Sequence, residues 1–140
     1  MFYKCRKESP GDWCVLGLHS SLLLTAECKF YPKNAALSEY RALPEDQFRG
    51  ARGLGAMFQE EEGKPTRCSL GIPEYFTTNP QAEVIHVGTV SRENIIAVAF
   101  ESEVKRRQYE ASCHGIPTVA KKHYFDARLD YKHWRTSNGE

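Results

Sequence analysis

An α+β fold is predicted for this chain on three observations. Short apolar, β-branched runs alternate with short helical stretches. Their spacing is too irregular for repeated strand–helix–strand units in a doubly wound sheet. The length, 140 residues, fits one domain with a sizeable core and leaves no room for a second.

The elements follow in order. Met1-Phe2-Tyr3-Lys4-Cys5 is strand-like, and Ser9-Pro10-Gly11-Asp12 is a turn by composition. Trp13 to Leu18, an apolar run between turn signals, is the pattern of a buried strand. Ser20-Ser21 before Leu22-Leu23-Leu24 predicts a helical turn, and Cys28 to Tyr31 a brief strand closed by Pro32. Asn34 is a suitable N-cap for a helix over Ala35 to Tyr40, since its side chain can satisfy an orphan backbone donor. Pro44-Glu45-Asp46 opens a further helical turn, with acids near its positive end. Ala51 to Glu62 reads as helical. Lys64 to Pro80, rich in glycine and proline, reads as a long irregular loop, a feature that compact domains usually keep for function. A strand then starts at Glu83, Ile95 to Phe100 forms another, Glu101 to Ser112 is helical, and Thr118 to Phe125 is a closing strand. Domain bounds of 1–129 follow, with 130–140 as a polar tail.

Composition narrows the function classes. The formal net charge is +1, so nucleic-acid binding would need a local patch rather than a global field. Five cysteines, odd in number and without a Cys-x-x-Cys pair, argue against both a disulfide framework and a zinc ribbon. They read as free thiols of a reducing compartment. With no secretory h-region and no long apolar span, the expected location is cytoplasmic, away from membranes. Gly53-Leu54-Gly55 lacks the preceding strand and third glycine of a dinucleotide fingerprint.

Asn79-Pro80-Gln81-Ala82-Glu83-Val84-Ile85 carries the most chemistry. A turn delivers one carboxylate to the mouth of an apolar strand. Glu83 is thus expected at the start of a central strand, facing a cleft lined by the Lys64 to Pro80 loop. A carboxylate so placed can bind a sugar hydroxyl and stabilise positive charge developing on a ribose; the plainer reading is an ordinary strand-end acid. Arg49, Arg52, Lys64 and Arg67, with Arg41, surround the loop and can neutralise phosphates. Tyr75 and Phe76 close the loop and can stack on an extruded base. The alternatives for these residues are a solvated surface and a loop anchor. Lys105-Arg106-Arg107 is better read as a salt-bridged helix face, because Glu101 and Glu103 stand four residues before Lys105 and Arg107. His19 beside Ser20 and Ser21 has no accompanying acid or oxyanion device, and His114, His123 and His133 do not have metal-ligand spacing.

The order of these elements resembles the DarT family, toxins that ADP-ribosylate thymidine in single-stranded DNA using NAD. Four segments carry the resemblance. Met1-Phe2-Tyr3 is similar to the end of the family's Ser-Pro-Met-aromatic-Tyr segment. Phe30-Tyr31-Pro32-Lys33-Asn34-Ala35-Ala36 is similar to Phe-Thr-Asp-Gly-Asn-Ala-Ala, with Tyr31-Pro32-Lys33 in place of Thr-Asp-Gly. Gln81-Ala82-Glu83-Val84 resembles the segment bearing the catalytic glutamate, and His123-Tyr124-Phe125 resembles the Trp-Tyr-Phe close. The resemblance implies an ADP-ribosyltransferase-like mixed sheet flanked by short helices, lacking its N-terminal portion, with Glu83 as the catalytic residue and NAD as co-substrate. The family's NAD-holding histidine and catalytic arginine would precede Met1, so an incomplete NAD site and weak or absent activity are expected. Implied partners are single-stranded DNA and a macrodomain-type antitoxin. The alternatives are an inactive family fragment that binds single-stranded DNA or an antitoxin-like partner, and a small interaction protein whose Gln-Ala-Glu is coincidental.

Overall fold

A computed structural model describes residues 11–24 and 27–134. The strand expected at Met1 to Cys5, the first half of the Ser9–Asp12 turn and residues 135–140 lie outside the described residues. The mixed helix and strand content is that of an α+β protein: strands β1 (Cys14–Leu18), β2 (Cys28–Tyr31), β3 (Glu83–His86), β4 (Ile95–Phe100) and β5 (Thr118–Ala120), and helices α1 (Gly50–Ala56) and α2 (Glu103–Tyr109). Short 3₁₀ turns fill much of the rest. The chain divides into two compact units. One takes the described residues up to Leu22 together with Thr89–Ala127; the other takes those of Leu23–Gly88 and from Arg128 onward.

The first unit is a three-stranded sheet in the order β1-β4-β5. β1 runs antiparallel to β4, with Cys14 opposite Phe100 and a bulge at Gly17/Leu18. β5 runs parallel to β4, so the chain must cross over between them. α2 and the 3₁₀ turn Glu110–Cys113 form that crossover. Ser102 starts α2 by accepting the Lys105 N–H at 3.4 Å on its hydroxyl, and the turn ends on His114, whose φ of 49° is left-handed. The Glu101–Lys105 and Glu103–Arg107 pairs expected on this face are present at 3.5 and 3.1 Å. Arg106 additionally joins Glu103 and Glu110 at 2.8 and 2.6 Å. The Tyr109 hydroxyl donates to Asp12, which with Lys105 holds the Asp12 carboxyl below its usual range. Val98, Ala99, Phe100 and Phe125 are buried here.

Two expectations change in this unit. Trp13 to Leu18 is not a buried strand: Leu16 and Leu18 are 48% and 43% exposed. β1 lies at the sheet edge, where alternate residues have nothing stacked over them. The closing strand ends at Ala120, and Lys122–Phe125 is a 3₁₀ turn. The Lys121 N–H takes the Phe100 carbonyl at 2.8 Å, and β4 stops there, so the ladder offers no further partner.

The second unit is built on the antiparallel β2–β3 ladder, which sets Tyr31 opposite Glu83 and Cys28 opposite His86. The inward face of β2, Cys28 and Phe30, packs with Met57 into a core flanked by Leu23, Leu54, Phe58 and Ala82. Beside it, Tyr31 stacks on Phe48 at 4.6 Å, and Tyr40 meets both rings. α1 is shorter than the helix expected over Ala51 to Glu62. Its two internal glycines weaken it, and the chain tightens into 3₁₀-type bonds from Met57 and Phe58. Gly53 has a packing reason: a Cβ there would lie 2.5 Å from the Phe48 carbonyl carbon and oxygen. Asn34 caps no helix. Its Oδ1 accepts the Ala36 N–H at 2.9 Å in a local turn, and the next 3₁₀ helix starts only at Ser38. Leu129–His133, which runs into the segment 130–140 read as a polar tail, is a 3₁₀ turn with Asp130 buried.

Candidate functional site

Glu83 begins β3, as its sequence context requires, because a tight turn precedes it. Asn79 Oδ1 accepts the Gln81 N–H at 2.9 Å, and the Asn79 carbonyl accepts the Ala82 N–H at 3.1 Å. This Asx-type turn is buried, with Asn79 4% exposed. It is tied down twice more, through Thr78 N–H to the Met57 carbonyl at 2.9 Å and Asn79 Nδ2 to Glu61 Oε1 at 3.3 Å. The second Glu61 oxygen pairs with Lys33 at 3.2 Å. One buttressing carboxylate therefore links the turn before Glu83 to the segment after β2.

The Glu83 side chain is half-buried. Its Oε2 accepts the Ala35 backbone N–H at 3.0 Å, while no bond to Oε1 occurs among the described residues. The carboxylate is thus fixed through one oxygen. β3 is not a central strand, however: among the described residues it belongs to a two-stranded sheet. A polar cavity of about 180 Å³ in the same unit is lined by Lys33, Met57, Gln59, Glu61, Thr78 and Asn79. Glu83 is not part of its wall.

The Lys64 to Pro80 loop is a chain of hydrogen-bonded turns rather than irregular coil. Arg67 is its hub. Nε donates to Glu60 at 3.1 Å, Nη1 to the Glu74 and Phe76 carbonyls at 2.8 and 3.1 Å, and Nη2 to the Phe58 carbonyl at 3.0 Å. Arg67 is therefore a loop anchor, with its guanidinium turned to protein oxygens. Of the other cations, Arg49 lies 3.7 Å from Glu45, whose carboxyl is held low chiefly by Lys29. Lys64 is exposed and donates to the His133 carbonyl at 3.3 Å. Arg52, on α1, is exposed and without an ion pair among the described residues. Tyr75 and Phe76 are 79% and 43% exposed, with ring centroids 5.0 Å apart.

Arg128 escapes a reading of the sequence. It donates to the Thr77 carbonyl at 2.8 Å and to both oxygens of Asp130 at 3.0 and 2.8 Å. The contact with Thr77 spans 51 residues, so no local pattern announces it. The only available signal was Asp130 two positions away, a spacing common on any polar surface.

The remaining candidates carry less. His19 Nδ1 faces both the Ser21 hydroxyl at 2.7 Å and the Ser21 N–H at 3.2 Å, the geometry of a local turn cap rather than of a base activating a nucleophile. Cys14, Cys28, Cys68 and Cys113 form no disulfide among the described residues. Among the described residues no group of three or more His, Cys, Asp or Glu could hold a metal ion. No helix among them is long and apolar enough to cross a membrane. A larger, apolar groove of about 510 Å³ belongs to the other unit, between Trp13, Leu16, Phe100, Tyr109 and Ile116; His114 lines it, but none of the residues expected to bind or act on a substrate does. No protein-family model matches the chain, and no curated protein sequence matches it.

Proposed function

We propose that the chain is an NAD-dependent ADP-ribosyltransferase that modifies thymidine bases of single-stranded DNA, the toxin of a toxin–antitoxin pair, with Glu83 as its catalytic carboxylate. One observation carries the reading. Two of the four segments similar to the DarT family, Phe30 to Ala36 and Gln81 to Val84, are far apart in sequence yet adjoin through the β2–β3 ladder and the bond from Ala35 N–H to Glu83. The donor set is compatible with a ribosyl substrate, since one Glu83 oxygen is held by a backbone amide and no bond to the other occurs among the described residues. NAD would supply the ADP-ribosyl group and the nicotinamide leaving group. The part of Glu83 is to accept the ribose hydroxyl and to stabilise the positive charge that develops on the sugar. Exposed Arg52 and Lys64 would meet phosphates, Tyr75 and Phe76 a base, and a macrodomain-type antitoxin would be the partner.

A second reading is binding without chemistry. It is favoured by the plainness of the Glu83 surroundings: among the described residues the bond to its carboxylate comes from a backbone amide, with no arginine or histidine side chain donating. Label transfer from NAD to a thymidine-containing single strand separates the two. Transfer that falls by roughly 10²- to 10³-fold in Glu83→Ala supports the enzyme. Binding of the strand with no transfer leaves the second reading, and neither binding nor transfer removes both.

A further inference from the structure

We infer that Arg67 and Arg128 are positioning residues that hold Tyr75 and Phe76 out as a preformed stacking platform for an unpaired nucleobase, and that Arg67 is not a phosphate ligand. The inference rests on the single-strand reading proposed above. It assigns to these two arginines a task different from that of Arg52 and Lys64.

The donors decide it. A guanidinium has five N–H groups, and Arg67 directs them to Glu60 and to the carbonyls of Phe58, Glu74 and Phe76. Its side chain is only 18% exposed, and its guanidinium carbon lies 5.8 Å from the centre of the Phe58 ring. Little remains to offer a phosphate. Two of the three carbonyls it captures, Glu74 and Phe76, are those of the residues on either side of Tyr75. Arg128 takes the next one, at Thr77, and also approaches the Thr77 hydroxyl at 3.3 Å. Its own fork is locked on Asp130, whose side chain is 2% exposed, and its guanidinium carbon sits 5.4 Å from the Phe76 ring centre. Two arginines thus fix three carbonyls in four consecutive residues, and Tyr75 at the apex stays 79% exposed.

A loop held this firmly with an aromatic ring left in water is poorly explained by its own folding, which would favour burying the ring. It is what stacking on a partner needs, because the ordering cost is met before binding. An unpaired base offers the matching π-face and brings phosphates for Arg52 and Lys64, the exposed cations of the same unit. Duplex bases, stacked on each other, do not.

Fluorescence anisotropy of a thymidine-rich single strand with the full chain provides the test. Arg67→Lys keeps the charge and loses the fork. It should weaken binding roughly 5- to 150-fold, the worth of one stacked base, without changing the salt slope. Combined with Tyr75→Ala it should cost nothing further, since both remove the same stack. Arg128→Lys carries the same expectation and keeps the test should Arg67→Lys fail to fold. Chymotrypsin cleavage at Tyr75 and Phe76 reads the loop without DNA, and both variants should be cut faster than wild type. Unchanged cleavage in both overturns the positioning role. So does an Arg67→Lys that binds like wild type while Arg67→Ala lowers the salt slope by about 0.7, the mark of a phosphate contact. Absence of wild-type binding at low salt overturns the single-strand reading and the platform with it, whatever the cleavage rates.

Discussion

The unit carrying β1, β4 and β5 and the unit carrying Glu83 are held together by different means. In the first, a ladder of three strands supplies the order, and the charged groups lie on the outside: Glu103, Arg106, Arg107 and Glu110 pair along one face of α2. In the second, regular structure is sparse. Order comes from side chains reaching into the backbone, with Arg67 on three carbonyls, Arg128 on a fourth, Asn34 and Asn79 on local amides, and Glu83 itself on Ala35. Ladder bonds are interchangeable and survive most substitutions, whereas a carbonyl captured by one particular guanidinium depends on that residue alone. The second unit should therefore be the more sensitive to single polar changes.

Asp130→Asn tests this most severely. It strands the Arg128 guanidinium and should cost about 3 kcal/mol, the lower end for breaking a buried pair, because Arg128 keeps 23% of its side chain exposed. Urea unfolding measures it, and a loss below about 1 kcal/mol, the worth of a surface pair, would erase the contrast between the units. Gly53→Ala comes next and turns on sign. Helix propensity alone would favour alanine by about 1 kcal/mol. The 2.5 Å approach to Phe48 instead calls for a net destabilisation of about 1–3 kcal/mol. A stabilised Gly53→Ala would mean that α1 can slide away from Phe48.

The smallest effect belongs to the first unit and to acid. Arg106, with Arg107, holds the Glu103 carboxyl down to about 2 from an ordinary 4.5. A carboxyl depressed in the folded state contributes stability above its unfolded value, and the contribution disappears as pH falls from about 4.5 towards 2. Glu103→Gln should flatten that part of the stability profile slightly, since the group is fully exposed and solvent screens it. A carbon-detected titration of Glu103 with a midpoint near 4.5 would refute the pairing.

What could be read from the sequence follows the same division. Cys28–Tyr31 and Ile95–Phe100 have the predicted bounds, and β3 starts at Glu83, because apolar runs between turn residues encode strands locally. The salt-bridged face of α2 was likewise readable from i,i+4 spacing. The misjudged elements depend on something remote. β5 stops where β4 stops, β1 is exposed because it lies at an edge, and Asn34 caps a turn because the chain does not continue as helix. At the candidate site, Glu83 and its turn were legible. The change of Arg67 from surface cation to loop hub was not, since its acceptors are carbonyls that every residue carries.

The β2–β3 ladder also bears on how this chain can vary. Glu83 is placed by its pairing opposite Tyr31, its bond to Ala35, 48 positions earlier, and the turn that Met57 and Glu61 tie down, and not by the rest of the path between them. Closing a flexible loop costs only about 0.6 kcal/mol more for each doubling of its length. Turns along that path that leave Phe48, Gly53, Met57 and Glu61 in place can therefore lengthen, shorten or exchange their tips while the carboxylate stays in register. A one-residue slip within β3, by contrast, would turn Glu83 to the opposite face. The chain thus separates a part free to explore new partners from a part that tolerates no insertion.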